Sequence, residues 1–454
     1  MYYIPINSGF INFQDLMGFK RGRVIMTAND KMTLAIKMKA IRKARNMTQV
    51  QLSIAMGYSP SMTDKYESFT RGITEAALVA FRRETGTEDV PLTDGEVAAF
   101  KKDVLCPWND MLNFGDIEKA VELQPMIAYR VEWSCDADMQ VLYELFSIKY
   151  NCVIGKREKC DSILESLRKR EKDFTDEQKY WYYRYLGFLK HSDWMYKPAV
   201  ALYMKAEEIG DRYNLNDTAL YYNIGNCLSY MGFYYLAIVY LEKIQLDSFE
   251  LFAIRQGLTT QKLLAKCYSK LGRTAKALEM LKNYLEYLLS EKKSDRFRIG
   301  GAYFDIGRVY RDAGDFEKAL ENFDMVKTYY DKKSEAYIAY LCYRAFFLRE
   351  YNKNDEVMEC LDKGSSLVVK GTLWYEWLNA IKHSLSLDKQ SSVDYIVWTA
   401  IPKLNDHGCH WLVMELHKLL SKHYDKIRKY KPAFMHKNEA MSIYVRLMKG
   451  DLSL

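Results

Sequence analysis

Apolar residues recur three or four positions apart along most of the chain, which is the spacing of one face of an α-helix. Leu34, Met38 and Ile41 mark the first such stripe. Gly and Pro, the two residues that most disfavour helices, number only 23 and 8 among 454 residues. The pattern therefore predicts an all-α protein.

A repeat of 36 to 42 residues runs through the chain from residue 139 onward. It is visible at small or apolar positions near the start of each predicted second helix: Cys160, Ala199, Ala237, Ala277, Ala319, Val357 and Val393. Turn glycines and, seven residues before them, small residues accompany the three central units: Gly232, Gly272 and Gly314 with Gly225, Ala265 and Gly307. These segments resemble tetratricopeptide repeats, in which small residues let paired helices approach closely.

The resemblance implies a right-handed superhelix of stacked helix pairs, with a concave wall formed by the first helix of each pair. By repeat position, the residues predicted to bind a peptide there are Arg184, Tyr222, Asn223, Asn226, Ser229, Tyr230, Lys262, Lys266, Phe304 and Arg308. An Asn amide both donates and accepts, as the main chain of an extended peptide requires, and the cations suit a carboxylate. The alternative is that these are only hydrated groove residues of a scaffold.

Residues 47–69, MTQVQLSIAMGYSPSMTDKYESF, carry a second pattern. Thr48 and Gln51 form a capping-box signature at the start of a predicted second helix. Gly57 can adopt the left-handed conformation that ends this helix. Ser59 is predicted to cap a third helix with Pro60 at its first position. Two short helices joined by such a turn predict a helix-turn-helix. The segment resembles the XRE/Cro-type DNA-binding domains.

The third helix of such a domain enters the major groove. The residues predicted to contact DNA are Gln49, Pro60, Ser61, Lys65, Arg45, Thr70 and Arg71. Lys65 can donate to guanine O6 and N7, whereas Thr63 and Tyr66 are predicted to face inward. The resemblance implies a phosphate contact for Gln49.

A buried ion pair is also implied by the resemblance, which matches Arg42 and Glu67 to a structural pair of that family. Charge placement agrees with a DNA-binding role, because residues 1–71 hold 11 basic and 4 acidic residues, the whole net charge of +7. An ordinary solvated surface is the alternative explanation of that charge.

Four segments are predicted from these patterns. They are an arm at 1–30, a helix-turn-helix domain at 31–94 (the head), linker helices at 95–135, and about seven to eight repeat pairs at 136–454. Residues 1–30 are either a true arm or a misassigned start, with Met26 or Met32 as the real initiator.

Sequence motifs for catalysis, cofactors and metals are missing: GxxxxGK[ST], GxGxxG, HExxH and GxSxG do not occur. The HGCH run at 407–410 is the one cluster in the sequence that resembles a metal site. We prefer to interpret this run and His417 as parts of a solvated C-terminal helix. Nine scattered Cys without a CxxC pair indicate reduced thiols. We therefore predict a cytoplasmic protein that is not an enzyme and has no metal, no cofactor and no membrane span.

A Cro-like head joined to tetratricopeptide repeats resembles the RRNPP family of peptide-responsive regulators, the group containing NprR, PlcR and AimR. The family implies a homodimer on a two-fold operator in double-stranded DNA, controlled by a short imported signalling peptide of the quorum-sensing type. The alternative is a scaffold that binds a protein partner, such as a component of a sporulation phosphorelay, with or without DNA binding.

Overall fold

The computed structural model describes residues 28–114, 117–244, 251–290 and 296–452. Those ranges contain 24 α-helices and no strand, which confirms the all-α prediction. The proposed N-terminal arm lies outside the described residues up to residue 27, so the account begins at Ala28.

Helices α1 to α5 contain the head. Their bounds are Ala28–Ala44 for α1, Gln49–Ala55 for α2, Met62–Glu67 for α3, Glu75–Thr85 for α4 and Asp94–Phe100 for α5. Leu34, Met38 and Ile41 of α1 are at most 2% exposed and pack in one core with Leu52 and Phe81. The predicted amphipathic stripe is thus the inner face of α1.

The turn between α2 and α3 follows the sequence prediction at one end and departs from it at the other. Thr48 and Gln51 form the predicted capping box, and Gly57 has φ +80°. The prediction that Ser59 caps the third helix is wrong, because α3 begins only at Met62. Pro60 and Ser61 lie in the turn instead, where the Met62 N–H donates to the Ser59 carbonyl at 2.9 Å.

Further helices follow the head in the first of two compact units, which extends to Tyr185 and takes in Arg212–Leu215. Their bounds are Lys101–Leu105 for a π-helical turn, Cys106–Phe114 for α6, Ile117–Ser134 for α7, Ala137–Val153 for α8, Arg157–Arg168 for α9 and Asp176–Ser192 for α10. Trp108 is completely buried and donates from Nε1 to the Ala120 carbonyl at 2.8 Å. The predicted linker 95–135 is therefore made of packed helices.

The second unit contains Leu186–Asp211 and the residues from Asn216 on. Its helices begin with α11 Tyr196–Arg212, α12 Thr218–Met231, α13 Tyr234–Glu242, α14 Leu251–Lys270, α15 Thr274–Ser290, α16 Arg296–Asp312 and α17 Phe316–Tyr329. They continue with α18 Glu335–Glu350, α19 Asn354–Ser365, α20 Leu373–Ser384, α21 Gln390–Tyr395, a π-helical turn Ile396–Ala400, α22 Ile401–Asp406, α23 His410–Lys426 and α24 Tyr430–Lys449.

The repeat positions read from the sequence occupy equivalent places in seven second helices. Each lies in α9, α11, α13, α15, α17, α19 or α21 and is at most 3% exposed. A Cβ on Gly225 would lie 2.8 Å from Leu241, and one on Gly307 would lie 2.9 Å from Phe323. Small residues therefore stand where paired helices touch, as the repeat predicts.

Candidate functional site

The outer surface of the helix-turn-helix carries the residues predicted to read DNA. Pro60, Ser61, Lys65, Thr70 and Arg71 are exposed. The expected inward residues of α3 are buried, with Thr63 2% and Tyr66 3% exposed. The side chains of α3 therefore form one polar side that faces solvent and one side that packs against the core of the head.

Gln49 is engaged inside the head rather than held free. Its Nε2 donates to Glu67 at 2.9 Å and approaches Asp64 at 3.4 Å. Arg42 forms the predicted pair with Glu67, at 2.6 and 2.9 Å, and also donates to the Met47 carbonyl at 2.7 Å. Burial would raise the pKa of Glu67, but these hydrogen bonds and the Arg42 charge hold it below its usual value.

Arg45, a predicted phosphate contact, already has a partner within the first unit. Its guanidinium lies 3.9 Å from the ring centre of Trp133 on α7. Nearby, Tyr129 of α7 donates to the Gly86 carbonyl at 2.6 Å, and Lys37 of α1 pairs with Asp136 at 3.1 Å. These contacts, with an ion pair between Arg130 of α7 and Asp89 of the head at 4.0 Å, hold the head against α7 and the start of α8.

Three first helices of the second unit each present a stripe of side chains four residues apart. We call these nine residues the first-helix wall: Tyr222, Asn226 and Tyr230 of α12, Lys262, Lys266 and Lys270 of α14, and Phe304, Arg308 and Asp312 of α16. Spacing of four residues places side chains on one side of a helix, so each stripe faces one way.

Carboxylates neutralise the two outer lysines of α14 but not the middle one. Lys262 pairs with Asp305 at 3.4 Å, and Lys270 pairs with Asp312 at 2.8 Å. Among the described residues Lys266 has no ion pair, and its ammonium lies 3.6 Å from the ring centre of Tyr230. A cation–π contact of this kind satisfies an ammonium only partly.

Arginines add further positive charge to the first-helix wall. Arg308 is 6% exposed and shares Asp305 with Lys262, at 3.4 Å. Arg311 shares Asp312 with Lys270, at 2.6 Å. Five cations therefore surround two carboxylates, which leaves the cluster short of negative charge.

The lysine pKa values reflect this imbalance. Burial and the Arg308 charge lower the pKa of Lys266 to about 7, against the opposing effect of Asp305. Burial and Arg311 lower the pKa of Lys270 to about 8, although Asp312 is beside it. An anion placed at Lys266 would reverse the effect and favour its charged form.

Aromatic rings frame the cations on several sides. Tyr230 stacks on Tyr196 with ring centres 4.8 Å apart, and Phe304 meets Tyr343 edge-on at 5.2 Å. The Arg308 guanidinium lies 4.4 Å from the Tyr343 ring centre. Rings and cations together form a surface suited to a ligand with both apolar and anionic groups.

The other predicted peptide residues have different environments. Asn226 is half-buried with its Nδ2 3.4 Å from His191 Nε2, whereas half-buried Asn223 makes no side-chain hydrogen bond to the described residues. Ser229 is only 1% exposed, so its hydroxyl is not open to a ligand. Arg184 belongs to the first unit, is 3% exposed and lies over Trp181, so the structure does not group it with the wall.

Repeat position also predicted Lys270, Asp305 and Arg311 on the concave wall, although not among the peptide-binding residues, whereas Asp312 and Tyr343 were not predicted. Lys270 continues the stripe of Lys262 and Lys266 by four residues, and Tyr343 follows Phe304 by 39, one repeat. Helical and repeat periods were therefore sufficient signals for both. The sharing of Asp305 between two cations had no such signal, since it depends on how α14 and α16 pack.

The histidines at the C-terminal end are not on a solvated helix, contrary to the sequence interpretation. His410 is 2% exposed with Nδ1 3.3 Å from Asn405, and burial lowers its pKa to about 4. His417 Nδ1 lies 2.9 Å from His436 Nδ1. Across the described ranges, no group of three or more His, Cys, Asp or Glu residues is placed to hold a metal.

Two further features are a cavity in the second unit and the hydropathy of the helices. A cavity of about 730 Å³ lies elsewhere in the second unit, next to Pro198, His417 and Ile443, and contains none of the predicted peptide residues. Of the helices in the described part of the chain, none is long and apolar enough to cross a bilayer.

Comparisons with known proteins place the fold. No protein-family model matches the sequence, and no curated protein matches it. The crystal structure of a Rap protein complexed with competence and sporulation factor is similar, with 15% identity, 78% of this chain and 98% of that chain covered, and a TM-score of 0.66. NprR in complex with its cognate peptide NprX is similar at 17% identity, 76% and 99% coverage, and a TM-score of 0.67.

A third solved structure, the apo quorum sensor NprR from B. thuringiensis, is similar at 18% identity, 76% and 99% coverage, and a TM-score of 0.55. At such identities the likeness shows the fold alone. The chain thus has the helical-repeat fold of Rap and NprR, in agreement with the architecture expected from the RRNPP resemblance.

Proposed function

We propose that this chain is a DNA-binding transcriptional regulator of the RRNPP type, controlled by a short signalling peptide bound on the first-helix wall. NprR, which has the same fold, was solved with its cognate peptide, and the Rap protein with competence and sporulation factor. The single observation that carries the peptide part of the proposal is Lys266, a cation without a carboxylate in a cluster of cations and rings.

A peptide carboxylate is the group that fits this position. It would supply the negative charge that Asp305 and Asp312 do not, and a charge-assisted hydrogen bond to an ammonium contributes about 1.5–3 kcal/mol. Asn226, one turn before Tyr230 on α12, offers donor and acceptor groups to the peptide main chain. Tyr230 and Phe304 offer apolar surface for side chains.

The exposed face of the head supports the DNA part of the proposal. Lys65 and Ser61 are directed to solvent, and the buried Arg42–Glu67 pair fixes α3 against α1 without using that face. A homodimer would set two heads on half-sites about 34 Å apart in a two-fold operator. The peptide then regulates DNA binding to the extent that it binds more tightly to one arrangement of the two heads, either the one that fits DNA or the one that does not.

Thermal unfolding with added peptides tests the proposal. The probes are synthetic five- to ten-residue peptides taken from short secreted-peptide reading frames next to the gene. We expect one of them to raise the midpoint of wild-type unfolding and to have no effect on Asn226→Ala. Asn322→Ala is the matched control, because Asn322 is half-buried like Asn226 but lies on α17, a second helix, and bonds only its own helix.

The outcome also separates the alternative scaffold function. A protein partner such as a phosphorelay component covers a large surface and would tolerate Asn226→Ala, whereas a short peptide depends on few contacts. Absence of a shift with every encoded peptide would count against peptide control. A footprint on the protein's own promoter tests DNA binding separately.

A further inference from the structure

Two cysteine side chains meet where α8 ends and α9 begins. Cys152 lies in the last turn of α8 and Cys160 in the first turn of α9, and their Sγ atoms are 3.6 Å apart. A tight turn with Gly155 at φ +75° joins the two helices. In the described part of the chain, no other two of the nine thiols are recorded in contact.

The two thiols differ in access to solvent. Cys160 is completely buried, and its Sγ lies 3.3 Å from the Ile148 carbonyl. Cys152 is half-buried, so a small reagent can reach its sulfur from outside. The pair thus consists of a partly accessible thiol, Cys152, in contact with a buried thiol, Cys160.

We propose that Cys152 and Cys160 are a redox modification site that closes to an intramolecular disulfide when the protein meets a peroxide. A disulfide has an S–S length of about 2.05 Å, so the sulfurs must approach by about 1.5 Å. The turn that joins the helices already holds them side by side. The proposal does not depend on the peptide or DNA function.

The reaction proceeds in two balanced steps. The Cys152 thiolate attacks one peroxide oxygen and the O–O bond breaks, which leaves Cys152 as a sulfenic acid, and the released hydroxide or alkoxide takes up the proton that Cys152 gave to solvent on ionising. The Cys160 sulfur then attacks the Cys152 sulfur, and the S–O bond breaks. Water leaves with the Cys160 proton, so two thiols are oxidised and one peroxide is reduced.

The surroundings assign the attacking role to Cys152. The hydrogen bond from Cys160, together with the charges of Arg157 and Lys149 and against the effect of burial, lowers the pKa of Cys152 to about 7. The same contact and burial raise the pKa of the Cys160 thiol. Cys152 is therefore the thiol of the pair that ionises more readily, and Cys160 keeps its proton until it attacks.

The position of the pair relates it to the head within the first unit. The other end of α8 is capped by Asp136, whose carboxylate accepts from the Met139 N–H at 2.9 Å. The same carboxylate pairs with Lys37 of α1 at 3.1 Å. A disulfide would therefore tie to α9 the helix that also contacts the head.

Peptide mapping of the full-length protein tests the proposal. After treatment with hydrogen peroxide, blocking of free thiols and digestion with trypsin, we expect YNCVIGK (150–156) joined to CDSILESLR (160–168), lighter by two hydrogens than the separate peptides. Dithiothreitol should restore the separate peptides. Cys135→Ser, which removes an exposed thiol, should leave the link unchanged.

Three results would overturn the proposal. They are a Cys152 that accumulates as sulfinic acid without a link, a link between other cysteines, and no oxidation of Cys152 at all. Cys160→Ser should block the link while leaving sulfenic acid at Cys152, which a dimedone adduct detects. Circular dichroism shows whether that variant is folded.

A second measurement needs no cysteine variant. In the reduced wild-type protein, alkylation of Cys152 by iodoacetamide should be half-maximal near pH 7, whereas an unperturbed thiol requires a pH near about 8.5. Cys135 is the internal comparison, since burial raises the pKa of that thiol. Equal pH profiles at both cysteines would contradict the role assigned to Cys152.

Discussion

The charges of the head and those of the first-helix wall are arranged on opposite principles. In the head, buried Arg42 meets Glu67 and buried Arg82 meets Glu96, so each cation has its own carboxylate. In and beside the wall, four cations share the two carboxylates Asp305 and Asp312, and a fifth cation, Lys266, pairs with neither. Closed pairs hold a fold together, whereas an incomplete set favours a ligand that completes it.

The difference indicates where each region has capacity for a partner. The buried cations of the head all have carboxylate partners, Arg42 and Arg82 within the head and Lys37 at Asp136, so its exposed face, with Lys65 and Arg71, carries the charge left for a polyanion. The wall holds its charges on a half-buried surface between rings, where a bound carboxylate is poorly screened by water. This difference agrees with the proposed function, in which the head binds DNA and the wall binds a small ligand with a carboxylate.

The largest expected effect comes from opening a closed pair in the head. Glu67→Ala leaves Arg42 buried without a carboxylate, which should lower the free energy of unfolding of the head by about 3–5 kcal/mol. Hydrogen exchange of the α1–α4 amides measures it. Glu84→Ala is the control, because its Arg83 partner is exposed and such a pair contributes at most about 1 kcal/mol.

The pH dependence of the head follows from the same pair. The pKa of Glu67 is lower in the folded head than in the unfolded chain, so this stabilisation is complete above the unfolded pKa. It is lost as the pH falls through the folded pKa. Wild-type exchange protection that falls no more in acid than that of Glu67→Ala would contradict a closed pair.

The wall should respond in the opposite way to the loss of a charge. Lys266→Met should weaken binding of a carboxylate-bearing peptide by about 10- to 150-fold, the equivalent of about 1.5–3 kcal/mol. Its unfolding midpoint should be equal to or above that of the wild type, because burial opposes the charged lysine. Isothermal titration calorimetry and thermal unfolding measure the two effects.

Lys276→Met is the matched control for that variant. Lys276 also lies over a tyrosine ring, at 4.0 Å from Tyr268, but it is exposed on α15, a second helix. We expect no change in peptide affinity. Equal losses in both variants would mean that the wall is not the binding surface.

Peptide affinity should also fall as the pH rises through neutrality. The free Lys266 has a pKa of about 7, set by burial and Arg308 against Asp305, with Lys262 and the Tyr230 ring also beside it. A carboxylate binds the protonated amine, so affinity should fall about tenfold between pH 6 and pH 8. Lys266→Met should abolish this dependence, and a wild-type affinity that rises with pH would contradict it.

A smaller effect is expected on the exposed face of the head. Lys65→Ala should weaken binding to a footprinted operator by about 1–3 kcal/mol and relax specificity at one position. Lys39→Ala is the control, because Lys39 is exposed on α1 rather than on α3, the helix proposed to read DNA. Equal losses in the two variants in a mobility-shift titration would point to non-specific attraction.

The smallest expected effect on DNA binding is that of Arg45. Its guanidinium contacts Trp133 and, in the proposed complex, would also contact a DNA phosphate. Arg45→Ala should reduce the slope of log affinity against log salt by about 0.9, the equivalent of one phosphate contact. Trp133→Ala frees the guanidinium from a contact of about 0.5–1 kcal/mol and should strengthen DNA binding slightly. Weaker binding by Trp133→Ala would show that the contact positions Arg45 instead of competing for it.

Local patterns predicted most of the architecture. The seven repeat positions, the capping box at Thr48 and the left-handed Gly57 all depend on residues close together in sequence, and all are present in the structure. The start of α3 was predicted two residues too early, because a favourable Ser-Pro pair is also compatible with a turn.

The sequence by itself determined that the chain is helical, where its repeats fall and which residues lie on the sides of α12, α14 and α16, since these depend on periods of 3.6 residues and of one repeat. Only the tertiary structure decided that Asp305 serves two cations, that Lys266 has none and that Cys152 meets Cys160. Charge balance depends on distances between helices of neighbouring repeats, and the thiol contact depends on how α8 and α9 pack on either side of the turn at Gly155, so neither is set within a single helix.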